Sequence, residues 1–138
     1  MKKPSNSLRR PPTPRAVRNW RRFPVHVAPM GIRYRKLASG TVLEQNLEAD
    51  YVCLLKGLTI PVHAHRHTSA LCLVLKGSGV LTLNEDAFAV NEGDVVGIPA
   101  GAYHGFRAGA HGLEFLSIQS PPIGEDYIFP ATPQPKKK

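Results

Sequence analysis

Three histidines at alternate positions, His63, His65 and His67, are the residues of this sequence best suited to chemistry. Successive side chains of a β-strand point to opposite faces, so His63 and His65 share a face, and His67 joins them if the strand continues. Two imidazoles held at this spacing can chelate one metal ion, and neutral imidazole nitrogen suits Zn, Fe, Ni and Cu. The spacing predicts a metal site, although an isolated His-x-His pair is more often an incidental exposed cluster.

A fourth histidine, His104, follows two turn signals further along the chain. Gly93-Asp94 marks one turn, Val95 to Ile98 forms a short apolar run, and Pro99-Ala100-Gly101 marks the next turn. A strand placed between these turns would deliver His104 from a neighbouring strand. Together the two stretches could therefore supply three imidazoles to one site.

The elements that must position these residues are short strands, because the sequence shows no helical periodicity from Ile32 onward. Turn signals rich in Gly, Asn and Pro separate the apolar runs, which favours an antiparallel sandwich or barrel. Pro121-Pro122 ends the last strand, because proline donates no hydrogen bond to a ladder. The predicted strands are Ile32 to Leu37, Thr41 to Asn46, Tyr51 to Leu55, Leu58 to His65, Ala70 to Leu75, Gly79 to Leu83, Ala87 to Val90, Val95 to Ile98, Ala102 to Arg107 and Leu113 to Gln119.

The length of 138 residues, 42% of them hydrophobic, suits one domain with a single core. No apolar run is long enough for a membrane helix, and the N-terminus lacks the apolar segment of a secretory signal. Cys53 and Cys72 lie in apolar strand-like runs, so we expect buried reduced thiols rather than a disulfide. A cytoplasmic protein is the resulting expectation.

The net charge of +8 is unevenly distributed along the chain. Residues 1–36 carry eleven Lys and Arg and no acidic residue, residues 37–135 carry four basic against ten acidic residues, and Lys136 to Lys138 add three. Nucleic-acid contact is therefore expected only as non-specific, salt-sensitive binding through the basic ends, and solvated ends without a partner are the simpler interpretation.

The composition divides the chain into three parts. Residues 1–24 hold five prolines and eight basic residues, which predicts a disordered or extended arm. Trp20 and Phe23 could anchor the end of that arm on the domain or on a second subunit. Residues 25–122 form the predicted barrel domain, and residues 123–138 a loose C-terminal tail that ends in the lysine run.

Two linked motifs in this chain resemble those of the cupin superfamily. The first reads Gly57, five residues, His63-Ala64-His65, four residues, Ala70, six residues and Gly77. The second reads Gly93, five residues, Pro99-Ala100-Gly101, two residues, His104, three residues and Ala108. The resemblance implies an all-β fold, a small antiparallel jelly-roll barrel, with a divalent metal held inside by His63, His65 and His104. It also implies a homodimer, as in many single-domain cupins.

The chain departs from the family pattern at two positions. The motif carboxylate that usually binds the metal is replaced by Ala70, and the final Asn of the second motif is replaced by Ala108. Three arrangements are open: a neutral three-histidine site, a site completed by His67, or loss of metal binding. Retention of all three motif histidines favours the three-histidine site.

A three-histidine site resembles those of thiol dioxygenases and of cupins that cleave β-diketones or aromatic diols. With three neutral ligands the metal keeps its full divalent charge, which favours an anionic substrate. The leading hypothesis is therefore a small-molecule enzyme such as an Fe(II)-dependent dioxygenase acting on a compact anionic substrate. Zn, Ni or Mn would instead serve a non-redox isomerase or lyase, and a non-catalytic ligand-binding or sensory cupin, or a purely structural barrel, is the alternative outside enzymes.

Strand parity predicts what surrounds such a site. If Ala70 faces inward, Cys72 and Val74 share its face, and Phe106 shares the face of His104, so these four residues are the predicted substrate pocket. Cys72 is better interpreted as a small core residue than as a ligand. On the last strand, the pattern leaves open whether the set containing Glu114 or the set containing Ser117 faces inward. No acid, base or nucleophile is identified outside the histidines.

Overall fold

The computed structural model of the protein describes residues 17–131, and within them it shows the predicted all-β, antiparallel jelly-roll architecture. Two 3-10 turns, Trp20–Arg22 and Pro29–Gly31, precede the main strands. The basic residues before residue 17 and the Lys136 to Lys138 run lie outside the described residues. The eight strands are β1 (His26–Val27), β2 (Arg33–Lys36), β3 (Glu48–Leu54), β4 (Thr59–His63), β5 (Ser69–Leu83), β6 (Asp86–Asn91), β7 (Val95–Ile98) and β8 (His104–Ser120).

Two long strands, β5 and β8, organise the sheet, whose order is β1-β2-β3-β8-β5-β6. The first half of β8 lies between β4 and β5, and its second half lies between β3 and β5. In the same way β5 pairs with β7 through its first half and with β6 through its second. Each long strand therefore belongs to both layers of the jelly roll.

The two long strands differ from the sequence prediction, which divides each of them at a turn. The predicted turn from Lys76 to Gly79 is instead an irregularity within β5, where the register shifts between Val74 and Lys76 and again between Gly77 and Gly79. Gly112, in the part of β8 that faces this irregularity, has a φ of +82°. A bulge bends a strand without ending it, and the same Gly-rich sequence suits both bulges and turns.

Gly77 is a position where the bulge requires glycine. Its φ is +81°, and an added Cβ would overlap the carbonyl of Gly112 on β8. We expect Gly77→Ala to lower the free energy of unfolding by about 3 kcal/mol or more, because backbone overlap adds to the strain of a positive φ. Urea denaturation measures this loss. Gly93→Ala is the matched control, since Gly93 has a φ of +92° with open space around it and should show only the strain, about 1 kcal/mol. Equal losses of unfolding free energy in the two variants would show that a side chain at Gly77 does not overlap the Gly112 carbonyl.

The core lies between the layers and is built from alternating residues of β3, β5 and β8. Leu54, Val74 and Leu113 are its most completely buried large side chains. The rings of Phe106 and Phe115 stack with centroids 4.7 Å apart. The remaining core members are Val52, Cys72, Leu81, Val90, Ile98, Ala102 and Ala108.

The predicted strand from Thr41 to Asn46 is wrong, because this segment forms successive turns. The Thr41 hydroxyl donates to the carbonyl of Ala38 at 2.8 Å, and Glu44 Oε1 accepts from the Gly40 N–H at 2.9 Å. Such local side-chain to backbone bonds offer the chain an alternative to a ladder. Val42 and Leu43 both remain exposed, so no face of a strand is buried here.

Trp20 and Phe23 attach the end of the N-terminal arm to the outer surface of this domain. The Trp20 ring lies 4.2 Å from the Tyr51 ring, and Phe23 is buried. Arg35 Nη1 donates to the carbonyls of Arg21 and Phe23. The aromatic pair therefore anchors the arm on its own domain.

Candidate metal centre

Three histidines meet at one end of the barrel. His63 ends β4 and is the direct register partner of His104, which begins β8, while His65 follows two residues after His63. Each offers a ring nitrogen, and these ligand atoms all lie within 4.8 Å of one another. The side chains are 9%, 4% and 6% exposed for His63, His65 and His104. These three residues, the His63/His65/His104 cluster, are the motif histidines that the family resemblance implies as metal ligands.

Backbone carbonyls fix the tautomer of all three rings. Nδ1 of His63 lies 2.7 Å from the carbonyl oxygen of Pro61, and Nδ1 of His104 lies 3.0 Å from that of Ala102. Nδ1 of His65 lies 2.6 Å from the carbonyl oxygen of Asp126. A carbonyl oxygen only accepts, so each Nδ1 carries the hydrogen and each neutral ring keeps the Nε2 lone pair for a metal.

The surroundings also keep two of the rings neutral. Burial lowers the pKa of His63, and burial lowers the pKa of His104 to about 4, with a further contribution from the neighbouring histidines. Imidazole must be deprotonated to bind a metal. Both rings are therefore in the metal-binding form at neutral pH, and the donor set fits a divalent transition metal.

His67 is not brought to the cluster. Its side chain is exposed, and its backbone N–H donates to Asp126 Oδ2 at 2.8 Å, while the Arg66 N–H donates to Asp126 Oδ1 at 2.8 Å. These two donors lower the pKa of Asp126, with the His67 N–H contributing most. The regular alternation of the strand ends before His67, so the parity that would have placed it beside His65 does not apply.

Residues 123–131, which the sequence assigned to a loose tail, instead cross the histidine end of the barrel. Ala64 and Ile128 form an isolated bridge with two backbone hydrogen bonds of 2.8 Å. The Tyr127 ring lies 4.9 Å from the His65 ring and 5.5 Å from the His63 ring. This segment, the 123–131 segment, supplies both a hydrogen-bond acceptor and aromatic cover to the His63/His65/His104 cluster.

The predicted pocket residues lie in the barrel interior. Cys72, Val74 and Phe106 are buried members of the core, and Ala70 packs against them. Burial raises the pKa of the Cys72 thiol to about 11, so the thiol is protonated, and both cysteines are free. That they line a substrate pocket stays a prediction.

The structure resolves the parity of β8, which the sequence left open, in favour of the set containing Ser117, and it shows one inward polar residue, Asp50, that the sequence interpretation missed. Ser117 and Gln119 are buried, whereas Glu114 faces outward and accepts a hydrogen bond from the Tyr51 hydroxyl. On β3, Asp50 lies two positions before the buried Val52 and thus shares its inward face. The signal for Asp50 was present in the alternation Asp50, Val52, Leu54, but the predicted strand began one residue too late to include it.

Burial raises the pKa of Asp50 from 3.8 to about 6, and the charge of Glu48 adds to the effect. Because the folded state holds the proton more tightly, the stability associated with Asp50 is full below pH 4 and is lost as the pH rises through 6. We expect the stability of Asp50→Asn, which cannot ionise, to increase relative to that of the parent by about 2 kcal/mol between pH 4 and pH 8.

Urea denaturation at a series of pH values measures this difference. Glu85→Gln, which changes an exposed carboxyl in the same way, is the control. A stability difference between Asp50→Asn and the parent that does not change between pH 4 and pH 8 would show that Asp50 is not desolvated.

A family model described as a cupin domain matches residues 50–118, half of the chain. The fold and the His63/His65/His104 cluster agree with that match, so the chain belongs to the cupin family. Among curated proteins it is similar to quercetin 2,3-dioxygenase of Bacillus subtilis (strain 168), with 37% identity over 62 residues. That match covers 45% of this chain and 18% of the relative, so the chain spans about a fifth of the length of the curated relative.

Solved structures with the same fold share little sequence with this chain. A predicted oxalate decarboxylase from Thermotoga maritima has a TM-score of 0.68 at 19% identity, covering 75% of this chain and 97% of its own. An RmlC-like cupin from Shewanella frigidimarina has a TM-score of 0.66 at 19% identity, with 78% and 92% covered. Among residues 17–131, no helix is long and apolar enough to cross a membrane.

Proposed function

We propose that this cupin is a metal-dependent small-molecule enzyme, an Fe(II)-dependent dioxygenase that acts on a compact anionic substrate. The observation that carries the proposal is the convergence of three imidazoles, each with Nδ1 bonded to a carbonyl. His63, His65 and His104 would hold the metal through Nε2. The similarity to a quercetin 2,3-dioxygenase supports dioxygen chemistry over the other activities of the family.

An Fe(II) ion would supply redox chemistry with dioxygen and Lewis acidity toward an anionic oxygen or sulfur. The chain itself supplies binding and orientation. Ala70 replaces the carboxylate of the first motif, so the ligand set carries no negative charge to compete with an anionic substrate. Tyr127 and Phe129 cover the His63/His65/His104 cluster with aromatic rings, and the His63 and Phe129 rings lie 6.2 Å apart.

Oxygen consumption tests the proposal. The Fe(II)-loaded full chain is incubated with quercetin, with a β-diketone and with a phenolic acid, and dioxygen uptake is recorded against the His104→Ala variant. We expect substrate-dependent uptake by the parent protein and none by the variant. Stoichiometric metal and ligand-dependent thermal stabilisation without uptake would replace the proposal with a ligand-binding or sensory cupin. Full turnover with Zn and without dioxygen would replace it with an isomerase or lyase.

The proposal includes a homodimer in the cytoplasm. The outer face of β5 and its neighbour β7 exposes Leu71, Leu75 and Val95, which are 50%, 41% and 62% exposed. Contiguous exposed apolar residues favour association between subunits. The two free thiols support a reducing compartment. Light scattering coupled to size-exclusion chromatography measures the molar mass in solution and so tests the dimer. A molar mass equal to that of one chain at micromolar concentration would exclude the dimer.

A further inference from the structure

Two neighbouring strands, β3 and β8, carry polar side chains on the inward face of the sheet, next to β5. Asp50 of β3 is the register partner of Ser117 on β8, and Ser117 is the register partner of Cys72 on β5. Gln119 lies two residues beyond Ser117 on the same inward face and is the register partner of Ala70. Asp50, Ser117 and Gln119, the polar rung, therefore adjoin the position where the first cupin motif normally carries its carboxylate.

The hydrogen bonds of the polar rung are incomplete. Gln119 Nε2 donates to Ser117 Oγ at 2.7 Å. Two buried acceptor atoms, Asp50 Oδ1 and Gln119 Oε1, have no partner. Gln119 is only 8% exposed, so bulk water does not compensate for the missing bonds. A buried acceptor without a donor is costly, and native proteins retain few of them.

The polar rung also lies near the metal centre. The 123–131 segment contacts both, because Ile123 donates its N–H to Glu48 Oε1 at 2.7 Å and Glu48 is the register partner of Gln119. In the same segment, the Tyr127 ring packs against the rings of His63 and His65. A compact molecule held at the His63/His65/His104 cluster would therefore meet the polar rung with its other end.

We infer that Asp50 and Gln119 form a subsite that recognises hydroxyl groups of the substrate, by accepting hydrogen bonds at Asp50 Oδ1 and Gln119 Oε1. The missing partners are donors, and two neighbouring hydroxyl groups can supply one donor to each acceptor. This inference rests on the proposed function in one respect, because the anionic end of the substrate would be held at the metal. It narrows the substrate class to compact anions that carry hydroxyl groups away from the metal-binding end.

Paired probes test the subsite without any turnover. Dissociation constants of benzoate and of 3,4-dihydroxybenzoate are measured by NMR titration against the full chain, both metal-free and loaded with redox-inert Zn(II). We expect the dihydroxy probe to bind at least tenfold more tightly than benzoate in both forms. 3-Aminobenzoate carries a weaker hydrogen-bond donor, and its dissociation constant should lie between those of the other two probes. No preference for the dihydroxy probe would overturn the subsite and indicate that internal water alone meets the two acceptors.

Two variants assign the preference to the polar rung. Asp50→Asn replaces one acceptor by a donor that can pair with Gln119 Oε1, and Gln119→Met removes the other acceptor at similar length. In both variants we expect the dissociation constants of benzoate and 3,4-dihydroxybenzoate to differ by no more than about twofold, with the metal content unchanged. Glu114→Gln makes the same acid-to-amide change on the outward face of β8 and should keep the full preference. A full preference in both Asp50→Asn and Gln119→Met would contradict the inference.

Metal content, measured on the same samples, separates this inference from the proposed function. A chain that binds no metal but prefers the dihydroxy probe would refute the metal-dependent enzyme and retain the subsite. A chain that binds metal but shows no preference between the probes would refute the subsite and leave the metal-dependent enzyme standing.

Discussion

Replacing His104 by alanine is expected to abolish stoichiometric metal binding. The variant removes one of three nitrogen donors and leaves two, and no described Asp, Glu or Cys joins the cluster to replace it. We expect the dissociation constant for Zn(II) to rise at least roughly a thousandfold, which corresponds to about 4 kcal/mol. Competition with a chromophoric chelator measures the change.

His67→Ala is the matched control for this prediction. It removes a histidine from the same segment, but one whose side chain is exposed and outside the His63/His65/His104 cluster. We expect its Zn(II) affinity to remain within about twofold of the parent. Circular dichroism on both variants verifies that the fold persists. Equal losses in the two variants would show that His67 is a ligand and that the three-histidine assignment is wrong.

The second large effect is expected at Asp126, which touches no metal ligand with its side chain. Its carboxylate accepts from the N–H groups of Arg66 and His67, and its carbonyl accepts from His65 Nδ1. Asp126→Ala removes the two bonds that hold this carbonyl against the His65 ring. We expect metal affinity to fall 10- to 100-fold, about the range seen when a partner that orients a metal ligand is lost.

Glu125→Ala serves as the comparison, because Glu125 is exposed and adjacent in the 123–131 segment. Zn(II) titration of both variants is combined with the NMR chemical shifts of the His65 ring, which report its tautomer. A merely structural role for Asp126 would lower thermal stability without moving those shifts or the affinity. An unchanged Zn(II) affinity in Asp126→Ala would show that Asp126 does not orient the His65 ring for metal binding.

The histidine cluster could be predicted because its signals are local. His63 ends β4 and His65 follows two positions later, so the alternation of an extended chain places them together, and the turn residues before His104 fix where β8 begins. The all-β architecture follows from the same alternation of apolar residues and turn signals. The family resemblance added the pairing of the two stretches, which spacing alone does not determine.

The contacts around the cluster could not be predicted, because they join distant parts of the chain. His65 and Asp126 are 61 positions apart, and nothing near Asp126 in the sequence distinguishes it from an exposed acidic residue. The same holds for Tyr127, whose place over the histidines depends on the Ala64 and Ile128 bridge. The prediction that a turn at Gly77 divides β5 was wrong for another reason. A bulge and a turn use the same residue types, and only the register with β8 distinguishes them.

Elemental analysis of the full chain, purified without chelator and without a metal-affinity tag, tests whether the His63/His65/His104 cluster binds a metal. We expect about one divalent transition-metal ion per chain in the parent protein and almost none in His63→Ala, with iron as the metal if the dioxygenase assignment is right. No metal in either protein, or the same metal content in both, would contradict the claim that His63, His65 and His104 form a metal site.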